Sequence, residues 1–159
     1  MKPNPHEFEI VRLEKQDVDV FRKLVEVFRE VFETESSSTP GESYLQTVLA
    51  KPGFHVFVVL RSDDEVVGGL TAFELPMYRS ESTELFIYDV GIHPAFQRKG
   101  LGQELLTTVK EFCRENNIHE MFVPAHEEDD HALKFYGSAG GKAERVVQFV
   151  FDVNNHIDT

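Results

Sequence analysis

The run Gln97-Arg-Lys-Gly-Leu-Gly102 has the residue types needed to hold an anion. Glycines admit φ > 0 and let the backbone approach a ligand closely. Successive N–H groups can then form a cradle. A helix starting near Gly100 adds the partial positive charge of its first turn, and Arg98 or Lys99 adds a full one. A phosphate-bearing ligand suits such a cradle. Two commoner phosphate loops are excluded. The loop with Gly-Lys-Ser/Thr after four spaced residues is absent. The dinucleotide fingerprint needs Gly or Ala where Leu105 stands.

Acidic and phenolic groups flank the cradle in sequence. Asp89 directly precedes Val90-Gly91-Ile92, and Glu84 lies five residues earlier. On an ideal strand an odd separation puts these two carboxylates on opposite faces; a bulge near Val90-Gly91 would change that parity. Either could act as a general base. Glu127-Glu128-Asp129-Asp130 is an acidic bunch ahead of a helix. Asp129 or Asp130 suits its N-cap, and the other can face a cation. Tyr136 can donate a proton, or it can be a core aromatic of its helix. His126 and His131 are separated by four residues in a loop, which is no metal pattern. They read as polar loop residues, with His126 a secondary base candidate. No metal is expected.

The elements that must position these groups follow from periodicity and breakers. Glu9–Leu13 reads as a strand. Gln16–Phe32 reads as a helix with Phe21, Leu24, Val25, Phe28, Val31 and Phe32 on one face. A loop at Ser36–Gly41 and a short helix at Glu42–Ala50 follow. Phe54–Arg61 and Val66–Leu75 make a hairpin. Ser82–Ile92 is a long strand leading into the cradle. Gly100–Asn116 is a helix with Leu101, Leu105, Leu106, Val109, Phe112 and Cys113 on one side. Glu120–Ala125 is a strand, His131–Ala139 a helix and Val146–Val153 a last strand. The order predicts an α/β chain, with an antiparallel meander before crossover units.

Composition bounds the rest. The 159 residues suit one domain, spanning residues 1–159. Cys113 is the single cysteine, so no intrachain disulfide is possible. Its place on an apolar stripe predicts burial. The net charge of −12 opposes nucleic acid and anionic membranes and favours cationic partners. No apolar run reaches the roughly 20 residues of a membrane span. The N-terminal residues lack an apolar signal segment, so a cytoplasmic setting is expected.

The pattern Val90-x-Ile92-x-Pro94-x-x-Gln97-Arg98-x-Gly100-x-Gly102 resembles the acetyl-CoA motif of the GNAT N-acetyltransferase superfamily. The flanking strand and helix, the strand at Glu120–Ala125 and the helix bearing Ala132, Phe135 and Tyr136 fall in that family's order. The resemblance covers essentially the whole chain. Glu84-Leu-Phe-Ile-Tyr-Asp89, Gln97-Arg-Lys-Gly100 and the acidic residues ahead of Tyr136 look like the aminoglycoside 3-N-acetyltransferases of the gentamicin-resistance type.

The resemblance implies the GNAT fold, an α/β mixed sheet whose N-terminal meander leads to a splayed central strand pair with flanking helices. It implies acetyl-CoA as cosubstrate. Val90, Gly91 and Ile92 would hold the pantetheine arm. Gln97, Arg98, Lys99, Gly100, Leu101 and Gly102 would hold the pyrophosphate, and Phe135 would also contact the cofactor. Tyr136 would be the acid, with Asp89 or Glu84 as base. Glu127, Glu128, Asp129, Asp130, Tyr88 and Asp152 would face a cationic small-molecule amine. A homodimer is implied too. The rivals are the same chemistry on a polyamine or protein amine, and a CoA-binding module without catalysis.

Overall fold

The computed structural model describes residues 7–34 and 38–154. Ser36 and Ser37 of the expected loop lie outside the described residues. Two compact units are present, one running to Pro124 and the other beginning at Ala125.

The first unit is a five-stranded mixed sheet in the order β1-β2-β3-β4-β5, with helices on both faces. The strands are β1 (Phe8–Arg12), β2 (Phe54–Arg61), β3 (Val66–Met77), β4 (Ser82–Ile92) and β5 (Ile118–Phe122). The first four pair antiparallel; β5 joins β4 in parallel. The α/β expectation and the meander hold. Helix α1 (Val18–Val31) buries Val18, Phe21, Leu24 and Phe28 against the sheet. Phe32, expected on that stripe, closes the helix as its C-cap and is 44% exposed. Helix α2 (Glu42–Leu49) contributes Leu45 and Leu49 to the same core.

Helix α3 (Leu101–Glu115) buries Leu101, Leu105, Leu106, Val109 and Cys113. Phe112 sets its ring edge-on to His55 and Phe57 of β2. Asn117 then adopts φ +56°, a left-handed turn that Asn tolerates at a helix end. The chain enters β5 at once, and Ile118 fills the core at 6% exposure. The strand therefore starts two residues before the expected Glu120.

In the second unit, helix α4 spans Asp130–Ser138, close to expectation. The expected strand at Val146–Val153 is not formed: these residues join no ladder. Its β-branched and aromatic composition suits a strand, but a strand needs a neighbour to bond its backbone, and the sheet order ends at β5.

Candidate active site

Strand β4 carries the site, and its two edges are used differently. Its β3 edge is paired along the whole length, from Met77↔Ser82 to Gly68↔Ile92. Its β5 edge is paired only from Thr83↔Ile118 to Phe86↔Phe122. Beyond Phe86 the parallel ladder stops while β4 continues, so the two strands form a fork. Residues Ile87–Ile92 present backbone polar groups on that open side. Apart from the Ile92 carbonyl, which accepts from the Gln97 side chain, such groups require a partner from outside the sheet or from water.

The ladder to β3 also settles which way the carboxylates point. The pairs Thr71↔Asp89 and Ala72↔Ile87 leave Tyr88 as an extra residue, a bulge. It lies earlier than the expected position at Val90-Gly91. Because it inserts one residue, it cancels the odd spacing, and Glu84 and Asp89 share a face. The face is that of α1. A Cβ on Gly91 would lie 3.1 Å from Val31 and 3.3 Å from Phe28 of that helix. Phe86 pairs with Phe73, which stacks on Phe54 at 4.8 Å, and Phe54 contacts Phe21 of α1 at 5.9 Å.

An aromatic row crosses this face. Phe73 meets Tyr88 at 6.1 Å, Tyr88 meets Phe86 at 5.9 Å, and Phe86 stacks on Phe122 at 5.3 Å. Tyr88 is 61% exposed. Glu120 sits directly opposite Glu84 across the parallel ladder. Like charges in that position destabilise a sheet, and neither carboxylate has an ion-pair partner among the described residues. Phe73, Phe86, Phe122 and Glu120 were not singled out in the sequence. The signal for Glu120 was its place in a strand beside β4, which becomes specific only once the register is known.

Asp89 is half-buried, and burial pushes its carboxyl above its ordinary pKa. A carboxylate raised in this way is a better proton acceptor near neutrality. Cys113 is buried on α3, and burial, with a smaller contribution from Glu74, pushes its thiol up. Its thiol is therefore held in the protonated form.

The loop after β4 has a defined course. Pro94–Phe96 make one 3-10 turn, and the Gln97 side chain donates to the Ile92 carbonyl at 2.8 Å, tying the loop to the end of β4. Arg98 adopts φ +62° and Gly100 φ +81°. Gly100 is the N-cap of α3 and has no side chain to offer the helix. The N–H groups of Leu101 and Gly102 therefore face outward without an intrahelical acceptor. Lys99 is turned away: its Nζ lies 5.5 Å from the Phe8 ring centroid and 4.0 Å from Glu7 Oε1. Arg98 is exposed and pairs with no carboxylate among the described residues.

Gly100 is required by its backbone angle and not by space, since a Cβ there meets nothing within 4 Å. Gly100→Ala should cost about 1–2 kcal/mol, the left-handed penalty of an L-residue. A lower thermal midpoint together with weaker binding of a phosphate ligand would be the result. An unchanged midpoint would mean that the loop relaxes to another conformation.

In the second unit, the Asp129 side chain accepts from the Ala132 N–H at 2.9 Å and caps α4. Of the two candidate caps, Asp129 serves. Glu127 lies 3.9 Å from Arg145, and both are highly exposed. The rings of Phe135 and Tyr136 are 5.1 Å apart. Asp152 accepts from the Asn154 N–H at 2.9 Å. Among the described residues no group of three or more His, Cys, Asp or Glu is placed to hold a metal. No described helix is long and apolar enough to cross a membrane.

Comparison with known proteins bears on this geometry. The model of the Acetyltransferase (GNAT) family matches residues 19–140. An aminoglycoside acetyltransferase from an uncultured soil metagenomic sample, solved with sisomicin, superposes with a TM-score of 0.89 at 36% identity, covering 92% of this chain and 97% of that one. A second soil-metagenomic aminoglycoside acetyltransferase superposes at 0.85 with 29% identity, covering 92% of this chain and 99% of that one. An uncharacterised protein of Bacillus subtilis (strain 168) is 27% identical over 88 residues, which are 55% of this chain. The chain matches only 50% of that relative's length.

Proposed function

We propose, from the premise that this chain belongs to the GNAT acetyltransferase family, that it moves the acetyl group of acetyl-CoA to an aminoglycoside amine. The acceptor position would be the 3-amino group of a gentamicin-type drug, and the biological role antibiotic resistance. The two units act together as one acetyltransferase domain in this reading, and the family match runs across both. A cytoplasmic setting belongs to the same reading.

One observation carries the choice of acceptor. Glu84, Asp89 and Glu120 share the α1 face of the β4–β5 fork, above an aromatic row, and no described cation neutralises Glu84 or Glu120. An amino sugar supplies ammonium groups for the carboxylates and a C–H face for the rings. The 36%-identical relative was solved with such a compound, sisomicin.

In the proposed reaction the pyrophosphate of acetyl-CoA rests on N–H groups of Arg98–Gly102, with Gln97 and Lys99 shaping the loop. The pantetheine arm runs along the open edge of β4 at Val90, Gly91 and Ile92, and Phe135 packs against it. Asp89 takes a proton from the substrate ammonium. The amine then attacks the thioester carbon: a C–N bond forms, the C–S bond breaks, Tyr136 protonates the departing sulfur, and the proton shed by the acylated nitrogen restores the phenol. Glu127, Glu128, Asp130, Tyr88 and Asp152 line the acceptor side, while Asp129 also caps α4.

The test is release of CoA from acetyl-CoA with gentamicin, sisomicin, spermidine or a lysine peptide, followed by NMR assignment of the acetylated nitrogen. Release with the drugs and acetylation at the 3-amino group support the reading. Release with spermidine or peptide alone overturns the acceptor. CoA binding without release to any amine favours a non-catalytic module.

Single replacements Glu84→Gln and Glu120→Gln should each raise the drug KM about 10- to 100-fold, the worth of a charge-assisted hydrogen bond at ~1.5–3 kcal/mol. The acetyl-CoA KM should not move. Glu120→Gln should also stabilise the fold by about 0.2–1 kcal/mol, because it removes a like-charge cross-strand pair. Steady-state kinetics and thermal melts check both halves.

A further inference from the structure

We infer that His93 is a positioning residue for the acyl donor: its two ring nitrogens tie the loop after β4 to the last turn of α1. The inference rests on the reading of this loop as the seat of acetyl-CoA. His93 follows β4 directly and is the N-cap of the turn Pro94–Phe96. Its backbone N–H donates to the Val67 carbonyl at 2.8 Å, and its carbonyl accepts from the Phe96 N–H at 2.8 Å. Its Nδ1 accepts from the Ala95 N–H at 3.2 Å. A ring nitrogen that accepts carries no proton, so in the neutral ring the proton stands on Nε2. That nitrogen lies 3.2 Å from Glu30 Oε2 on α1.

The placement of Glu30 runs against local preference. It stands in the last turn of α1, the end at which the helix dipole disfavours a carboxylate. Its side chain is 67% exposed and that of His93 33%, so the pair contributes little to stability. What it can fix is position. The same turn of α1 sets Phe28 and Val31 against Gly91 of β4. The contact between His93 and Glu30 therefore joins the end of α1 to the loop just past the open edge of β4.

The loop needs such a hold. Arg98 is not a glycine, yet it adopts φ +62°. A residue with a side chain keeps that angle where its surroundings impose it. From the β1–β2 side the loop is gripped through Phe96. The Phe96 ring meets Phe8 edge-on at 6.1 Å and lies 5.4 Å from the Arg61 guanidinium and 5.9 Å from Lys99 Nζ. From the α1 side it is gripped through His93, whose ring also lies 5.9 Å from Phe96. Gln97, bonded to the Ile92 carbonyl, then leads straight into Arg98. Losing the grip on the α1 side frees the residues whose N–H groups would meet the pyrophosphate.

The experiment measures CoA binding by calorimetry, without an amine, on the native full chain and on variants. Asparagine at 93 keeps an acceptor near the place of Nδ1 but is too short for Glu30. Glutamine keeps the reach to Glu30 and loses the Ala95 bond. His93→Asn and His93→Gln should each weaken CoA binding about 2- to 10-fold, the worth of one hydrogen bond. His93→Ala should weaken it more than either. Glu30→Ala should match His93→Asn, and Glu30→Gln, which retains an acceptor at the same reach, should recover most of the affinity. Melting midpoints should stay near native, and backbone amide relaxation should show residues 95–102 gaining fast motion in His93→Ala. Should a His93 variant fail to fold, the two Glu30 variants decide alone. Native affinity in His93→Ala or Glu30→Ala overturns the tie, and so does an affinity that falls in step with the melting midpoint. A native chain that binds no CoA overturns the reading of the loop, and the inference with it.

Discussion

Asp89→Asn should lower kcat/KM for the acceptor by about 10²–10⁴-fold, the usual contribution of a positioned general base. The Asn keeps the shape and the bulge-set orientation at Thr71↔Asp89 but cannot take a proton. In the native enzyme, the acidic limb of the pH–rate profile should sit above the ordinary carboxylate range, because burial raises this group. That limb should vanish in the variant. Stability gives an independent check with the opposite sign. A carboxyl whose folded pKa lies above its unfolded value binds more protons folded than unfolded, so stability falls as pH rises through that interval. The native chain carries this cost at neutral pH and escapes it below the unfolded pKa of about 3.9. Asp89→Asn should therefore melt higher than native at pH 7 and lose that advantage at pH 3. A variant that is inactive and also less stable at pH 7 would point to a structural role for Asp89.

Tyr136→Phe should reduce kcat by a similar factor of about 10²–10⁴, with acetyl-CoA and drug affinities near native. Only the phenolic oxygen is removed, and the ring contact with Phe135 at 5.1 Å remains available. Replacing the acetyl thioester by one with a more acidic thiol separates acid catalysis from packing. A thiolate that leaves unaided gains little from a donor, so the variant's deficit should shrink. A deficit of constant size would remove the acid role from Tyr136. Circular dichroism should show α4 intact, because its Asp129 cap is untouched.

Much of this architecture is legible before any coordinates. The stripe of Phe21, Leu24 and Phe28 gives α1, and the apolar spacing from Leu101 to Cys113 gives α3. The glycine-bearing run predicts the cradle, and Gly100 adopts the left-handed angle that a glycine is needed for. Local propensity carries such features. The face of Asp89 was beyond that reach, because parity along β4 depends on one extra residue opposite Thr71 and Ala72, a property of two strands together. Glu120 was hidden for the same reason: a carboxylate on an exposed strand is ordinary until the register sets it across from Glu84. The segment 146–153 shows the converse. Its alternation states a strand's preference, but preference alone does not supply a neighbouring backbone.

The cradle is made of main-chain amides, and the unpaired stretch of β4 is main chain as well. An amide is unchanged by whatever side chain it bears. In the proposed reaction, the grip on the acyl donor is therefore less exposed to point mutation, apart from the left-handed position at Gly100 and the Arg98 side chain. The carboxylates at 84, 89 and 120 have no such insulation, since a single codon change converts any of them to lysine or asparagine. If the proposed reaction holds, the acceptor range can drift step by step while the donor half changes little.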